Sequence, residues 1–469
     1  ARRAREAVVV PPGIRGVGGS MVTGDLQVTT PTSLTNTGCG ALSQRWGSRG
    51  VRHPFSITPW HPEAMSDLGR KPAERIVGMR SGRLAGKTIV LAVTGSISAV
   101  RAVELARELI RHGARVVPVM SKDAQKILHP YALEFACGMK PITEITGGVE
   151  HVALLGRHDA KADLFLVAPC TGNTLAKMAL GIDDSPVTTF AATGLTTTPT
   201  IVALAMHETM YESPMLQQHV ETLRAMGVTF VEPRMEEGKA KLAEPLDIVE
   251  RVLRALGPRT LAGRKVLVVN GATQEPIDAM RVLSNRSTGR TGVALAREAW
   301  RLGAEVEHWF AHGEADLPDV PTRRFSTLDD LLAMLPDARG FDAVLVPAAL
   351  SDFTAQPAKG KIPSDAPPTL RLARAPKALP ALRKAFEGAL VSFKAEAGVA
   401  EAELVERARA SGKANGCAFV VANLLEDVRA GRTRSLIVDA QRAAPVEGDA
   451  DALAAAVLSR LAEELARGR

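Results

Sequence analysis

The chain reads as an α/β protein made of two doubly wound, Rossmann-like parallel-sheet domains, one after the other. Three observations predict this. Short apolar runs alternate with helical segments from about residue 87 to 442, and strands alternating with helices imply a parallel sheet covered on both faces. The alternation restarts after LGPRTLAGRK, residues 256–265, a stretch punctuated by Gly and Pro. Each half also opens on the same design, an apolar run entering a glycine turn: GKTIVLAVTGSIS at 86–98 and GRKVLVVNGATQEP at 263–276.

In chain order, the first half supplies the strand-like runs TIVLAV, RVVPVM, DLFLVAP, TTPTIVALA and VTFVEP. The run AVRAVELARELIRHGA behind the first has helical periodicity. The second half supplies KVLVVNGA, GAEVEHWFA, DAVLVPAA, GALVSFKAE, CAFVVAN and SLIVDA. DADALAAAVLSRLAEELARGR closes the chain as an amphipathic helix with Ala and Leu on one face. The expected divisions are a disordered basic extension over 1–74, a first domain over 75–256 and a second over 257–469. Within the extension, residues 1–64 are rich in Gly, Pro, Ser, Thr and Arg without periodic apolar spacing. Met65 is favoured as the natural start over a transit-peptide reading of the Arg-rich leader.

Of 469 residues, 46% are hydrophobic and 23% charged, ordinary for a globular protein. No apolar run is long enough to span a membrane. The four cysteines, Cys39, Cys137, Cys170 and Cys417, form no CxxC pair, which disfavours a disulfide scaffold and fits a reducing cytoplasm. The net charge of +7 is local: residues 1–87 carry 13 basic and 5 acidic side chains, the remainder 45 and 46. The nearly neutral body argues against a nucleic-acid partner.

Chemistry concentrates in a few clusters. Gly95-Ser96-Ile97-Ser98 ends a strand at a helix start, where parallel α/β sheets hold phosphates; small residues also simply close such turns. His151 opens a helix-like run, and Cys170-Thr171-Gly172-Asn173-Thr174 follows a strand at its carboxyl end. In ALAMHETMYESP, His207 and Tyr211 stand four apart, on one face if the run is helical. His112, His129, His158 and His219 read as packing or surface residues.

GSIS, the His151 segment, PCTGNT and AMHETMY together resemble the flavin-dependent phosphopantothenoylcysteine decarboxylases. NGATQEPIDAMRVLSNRSTGRTG, AALSDF, KGKI, SFKAE and VAN resemble phosphopantothenate–cysteine ligases, in the family's order and spacing. Residues 75–465 thus look like the fused bifunctional enzyme of coenzyme A biosynthesis, in an archaeal-like form. The resemblance implies FMN as cofactor, its phosphate cradled by Gly95, Ser96, Ser98 and Ser121, with Cys170 and Thr171 also lining the flavin site. It implies His151 as base and Asn173 as holder of the substrate carboxylate. A decarboxylase needs a sink for the electron pair left by CO₂, which no side chain offers, so a cofactor is required.

For the ligase the resemblance implies a nucleotide, CTP or ATP, with Mg²⁺ (or Mn²⁺), activating the carboxylate of 4′-phosphopantothenate before cysteine attacks. Lys361 would act on the α-phosphate and Asn285 on the acyl intermediate. Gly271, Ala272, Asp352 and Phe393 would line the nucleotide. A homo-oligomer is implied, with trimeric decarboxylase and dimeric ligase contacts suggesting a dodecamer.

Two departures stand out. EPRMEEGKAKLAEP, residues 232–245, lacks the flap cysteine that donates a proton in bacterial relatives, leaving Lys239, Glu236, Glu237 and Cys170 as candidates. RAPKA stands where NPDI is usual, so Lys377 replaces an acid. Rival readings are a flavin prenyltransferase, an NAD-dependent Rossmann oxidoreductase and a flavin-binding scaffold without activity. The first would lack the second half, and the second would need a GxGxxG that neither turn supplies.

Overall fold

A computed structural model of the chain describes residues 71–313, 317, 319–365, 369–428 and 431–467. The leader 1–64 and Met65 lie outside the described residues. Residues 71–74, expected in the extension, instead pack onto the body: Ala73 is buried, and Lys71 Nζ donates to the Gly138 carbonyl at 2.6 Å.

The first sheet is built from β1 (Thr88–Val93), β2 (Arg115–Met120), β3 (Leu164–Cys170), β4 (Thr200–Leu204) and β5 (Thr229–Val231). Their order is β2-β1-β3-β4-β5, all parallel. These strands read as unbroken apolar runs because both faces are covered. Along β1, Ile89, Leu91 and Val93 enter one core, while Val90 and Ala92 enter the other, the alternation of a pleated strand. Leu105 and Leu109 of α1 (Ala102–Arg111) cover the first face, and Phe190 of α4 (Pro186–Gly194) belongs to the second. Between them in the chain come α2 (Glu150–Leu155) and α3 (Gly172–Leu180). The strand order reverses between β1 and β3, which opens a crevice at their carboxyl ends.

The second sheet holds β6 (Lys265–Asn270), β7 (Glu305–Phe310), β8 (Thr322–Arg324), β9 (Ala343–Val346), β10 (Ala389–Glu396), β11 (Phe419–Leu424), β12 (Thr433–Val438) and β13 (Ala443–Gly448). The order is β8-β7-β6-β9-β10-β11-β12-β13. Six strands are parallel and form the doubly wound part, with its reversal between β6 and β9. β12 and β13 add antiparallel, extending the sheet by a hairpin that strand–helix alternation did not foretell. The closing helix, Ala450–Arg467, buries Leu453, Val457, Leu458 and Leu461, the face its periodicity marks.

Residues from 71 onward belong to one compact unit. Its halves meet where α5 (Pro245–Leu256) contacts α6 (Arg290–Arg301). There the buried Arg301 guanidinium donates to Glu250 on α5 and to Glu298 on its own helix, and Arg83 Nη1 reaches Glu298 at 3.0 Å. Among the described residues no helix is long and apolar enough to cross a membrane.

Candidate active sites

At the first switch point, β1 runs into Thr94, a buried residue that sequence reasoning passed over. Its hydroxyl donates to the Pro169 carbonyl at 2.8 Å and accepts from the Thr171 N–H at 3.0 Å. Thr94 therefore joins the loop after β1 to the loop after β3. A Cβ on Gly95 would fall 2.5 Å from the Asp123 Cβ, so only glycine lets the loop after β2 come this close. Ser96 caps the single turn Ile97–Arg101, accepting from the Ser98 N–H at 3.3 Å. Ser121, on the approaching loop, accepts from the Ala124 N–H at 3.2 Å. Gly95, Ser96, Ser98 and Ser121 thus share one rim, built of hydroxyls and turn amides.

Thr171 faces the same crevice as N-cap of α3, accepting from the Thr174 N–H at 3.3 Å, and Asn173 stands exposed in the first turn. A Cβ on Gly172 would meet Leu216, Met210 and Met206 within 4 Å, so the segment after β4 packs against this loop. Cys170 differs from expectation: its side chain is wholly inside the core, and burial pushes its thiol pKa up. Only its backbone can face a ligand, and the thiol is a poor proton donor.

His151 is the second residue of α2, with its ring edge-on to Phe190 at 6.4 Å between centroids. Its Nδ1 is buried without a partner. No hydrogen bond among the described residues ties this ring to the loops just named. His207 and Tyr211 do not act as a helical pair. His207 caps the single turn Glu208–Tyr211, its Nδ1 accepting from the Thr209 N–H at 3.4 Å. The Tyr211 hydroxyl donates to Glu232 at 2.6 Å, and burial together with that carboxylate pushes its pKa up to about 12.

The cysteine-less segment folds as a hairpin, Arg234–Glu236 against Lys239–Lys241, whose second strand pairs with Met206–His207. Lys241 bridges Glu236 at 3.3 Å and Glu237 at 2.9 Å, and its ammonium holds the Glu237 carboxyl below its ordinary range. Lys239 stands across from His207.

The second site sits at the reversal between β6 and β9. Gly271 has φ 89°, and a Cβ there would lie 2.8 Å from the His312 backbone N and O. Ala272 bridges to Ala349, and the Thr273 hydroxyl accepts from the Ser351 N–H at 3.0 Å. Ser284 donates to the Thr273 carbonyl at 2.8 Å, and the Asn285 amide to the Ala349 carbonyl at 3.0 Å. NGAT, SNRSTG and AALSD, far apart in sequence, therefore form one rim. Asp352 joins it, ion-paired with Lys377 at 2.5 Å, both exposed. The departure RAPKA and the candidate Asp352 are thus direct neighbours. Phe393, half-buried on β10, packs against the core on the α6 side of the sheet. Lys361 is exposed on the loop 358–362, which the Ile277–Arg281 turn holds by backbone bonds. Lys394 instead pairs with Glu396 at 2.9 Å.

Behind this rim lies a buried chain that the motifs did not reveal. The Asn270 amide donates to the Gly289 carbonyl at 2.9 Å and to His308 Nε2 at 3.0 Å. An acceptor at Nε2 requires the neutral ring, and burial with the nearby Arg324 charge pushes the His308 pKa down to about 4. A Cβ on Gly292 would sit 2.0 Å from Asn270 Cγ, so the glycines of STGRTG make room for this amide. Its one sequence signal was an Asn ending an apolar strand. Among the described residues, no three His, Cys, Asp or Glu side chains are placed to hold a metal.

Comparison with known proteins covers both halves. The Flavoprotein family profile matches residues 78–257, and that of the DNA/pantothenate metabolism flavoprotein C-terminal domain matches 261–464. A coenzyme A biosynthesis bifunctional protein CoaBC of Thermococcus kodakarensis is 47% identical over 358 residues, 75% of this chain and 88% of the relative. The namesake from Methanocaldococcus jannaschii is 36% identical over 342 residues, 72% of this chain and 83% of the relative. That of Mycobacterium tuberculosis is 33% identical over 377 residues, 73% and 87%. With both profiles matched in order and relatives covered nearly end to end, this chain belongs to the family of coenzyme A biosynthesis bifunctional proteins.

Proposed function

We propose that the protein catalyses two consecutive steps of coenzyme A biosynthesis. Residues 257–469 ligate 4′-phosphopantothenate to cysteine at the cost of CTP or ATP, and residues 75–256 decarboxylate 4′-phosphopantothenoylcysteine to 4′-phosphopantetheine. The observation that carries this reading is the pair of crevices, one at each switch point, in a chain matched along both halves by this family.

The first rim suits the phosphate of FMN. Its donors are the hydroxyls of Ser96, Ser98 and Ser121 and the amides of a glycine turn, and Asp123 beside them is engaged by Lys126 at 2.6 Å. When bound, the flavin supplies the reversible redox chemistry that makes carboxylate loss feasible. Thr171 and the Cys170 backbone close the site beside it. His151, with a ring nitrogen unengaged, serves as base toward the substrate thiol, and Asn173 holds the departing carboxylate.

In the second site, Gly271, Ala272 and Asp352 border the nucleotide and Phe393 supports the strand beneath it. Lys361 offsets charge on the α-phosphate, and Asn285 orients the activated acyl group. Mg²⁺ (or Mn²⁺) would be carried chiefly by nucleotide phosphates and water. The assembly is a homo-oligomer, trimeric through its decarboxylase halves and paired through its ligase halves, working in the cytoplasm without nucleic-acid or membrane partners.

The decisive experiment supplies purified protein with 4′-phosphopantothenate, cysteine, Mg²⁺ and either CTP or ATP, and follows masses. Appearance of the cysteine adduct, then its loss of CO₂, is expected. Failure to form the adduct with either nucleotide overturns the ligase reading. Failure to decarboxylate supplied adduct with FMN present overturns the other.

A further inference from the structure

The loop bearing Lys361 is held by one buried carboxylate that the proposed chemistry does not use. The Asp278 side chain is fully enclosed, 0% exposed. Its Oδ1 accepts from the Met280 and Arg281 N–H groups at 2.8 and 2.7 Å, and its Oδ2 accepts from the Ile362 N–H at 3.0 Å and from the Arg281 guanidinium. Arg281 also donates to the Ile362 carbonyl at 3.2 Å. On the other side of the lysine, the Ala279 N–H donates to the Gly360 carbonyl at 3.2 Å. Both neighbours of Lys361 are therefore pinned, while the lysine itself is exposed.

The same turn leads directly into Val282–Ser284 and so to Asn285. We propose that Asp278 is a positioning residue that sets Lys361 relative to Asn285, by stapling the lysine loop to the hairpin that carries the asparagine. This rests on the reading of Lys361 as the group that acts on the α-phosphate. The carboxylate suits the task because it accepts from four donors at once, whereas an amide in its place turns an NH₂ toward two of them. A loosened loop leaves Lys361 intact but misplaced, and a displacement of about 1 Å in such a group can cost about a hundredfold in rate.

The test is a double-mutant cycle on pyrophosphate release, measured in single turnover at saturating nucleotide. Asp278→Asn is expected to slow release at least about tenfold. Combined with Lys361→Gln it should add nothing to the loss from Lys361→Gln alone. Trypsin should cut faster after Lys359 and, where present, Lys361, as read by peptide mass. Ile362→Pro removes the loop's own N–H, fixes the local φ and leaves Asp278 in place. It should behave in the same non-additive way, and it stands in if Asp278→Asn does not fold. Parent-rate release and unchanged cleavage in the aspartate variant overturn the proposal, as do losses that multiply with that of Lys361→Gln. Parent-rate release by Lys361→Gln alone overturns the underlying reading of the lysine instead, so the two failures are told apart.

Discussion

His151 and Lys361 lie in different halves of the chain, and their substitutions should separate the two reactions. His151→Asn keeps a polar side chain of similar reach but loses the base, so CO₂ release should fall by at least about a hundredfold. Adduct formation in that variant should stay at the parent level; equal loss of both would mean the residue has been given the wrong role. Lys361→Gln should do the reverse, slowing pyrophosphate release about a hundredfold or more while decarboxylation of supplied adduct continues. His308 carries a pH signature. Its folded pKa lies near 4, below the ordinary 6.5, so the unfolded chain binds the extra proton first. Its contribution is complete above about pH 6.5 and is lost as pH falls toward 4, amounting to about 2 kcal/mol between pH 7 and pH 5. Denaturant midpoints of the second domain at those two pH values should show this slope, and His308→Gln should flatten it.

At the scale of elements, both sites depend on close approach of loops at strand ends. Gly95→Ala would place a methyl group 2.5 Å from the Asp123 Cβ. Relief requires the loop after β2 to retreat, carrying Ser121 away from Ser96 and Ser98. Overpacking of this kind costs about 1–3 kcal/mol, so FMN affinity should weaken about tenfold or more, with ligation unaffected. Fluorescence titration with FMN reads this directly, and parent affinity would show that the cradle lies elsewhere. The strands themselves were legible: TIVLAV and RVVPVM coincide with β1 and β2 because unbroken apolar runs of that length suit strands covered on both faces. The edge strand β13, which pairs with β12 of the run SLIVDA, was not, since AAPVEG is alternately exposed and partly buried and too polar to stand out. Nor was the capping role of His207. Its spacing from Tyr211 fits a helical face, but the helix begins one residue after it.

For the whole molecule, the α5–α6 contact makes the halves more than beads on a linker. Arg301 is buried between Glu250 and Glu298, one from each half, and its loss removes the partner of Glu250 while Glu298 keeps Arg83. Breaking a buried pair from one side costs about 3–5 kcal/mol. Arg301→Leu should therefore lower the unfolding free energy, read from urea denaturation, by an amount of that order, whereas parent stability would mean that water already reaches the pair. The stretch 256–265, read from its Gly and Pro as a linker, follows directly on α5, so chain punctuation and physical separation are different properties here.

The sequence by itself determined the two doubly wound halves, the order of their strands along the chain and the motifs at their ends. Those follow from local patterning: apolar runs, helical periodicity, and glycines or hydroxyls where a strand turns into a helix. Only the tertiary structure decided what those motifs touch. It turned Cys170 into the core, paired Lys377 with Asp352, and set Asn270 against His308, 38 residues away. It also brought Asp278 to Ile362 across 84 residues. Contacts of that separation carry no local signature, because whether a carboxylate is solvated or enclosed depends on which distant backbone N–H groups arrive beside it.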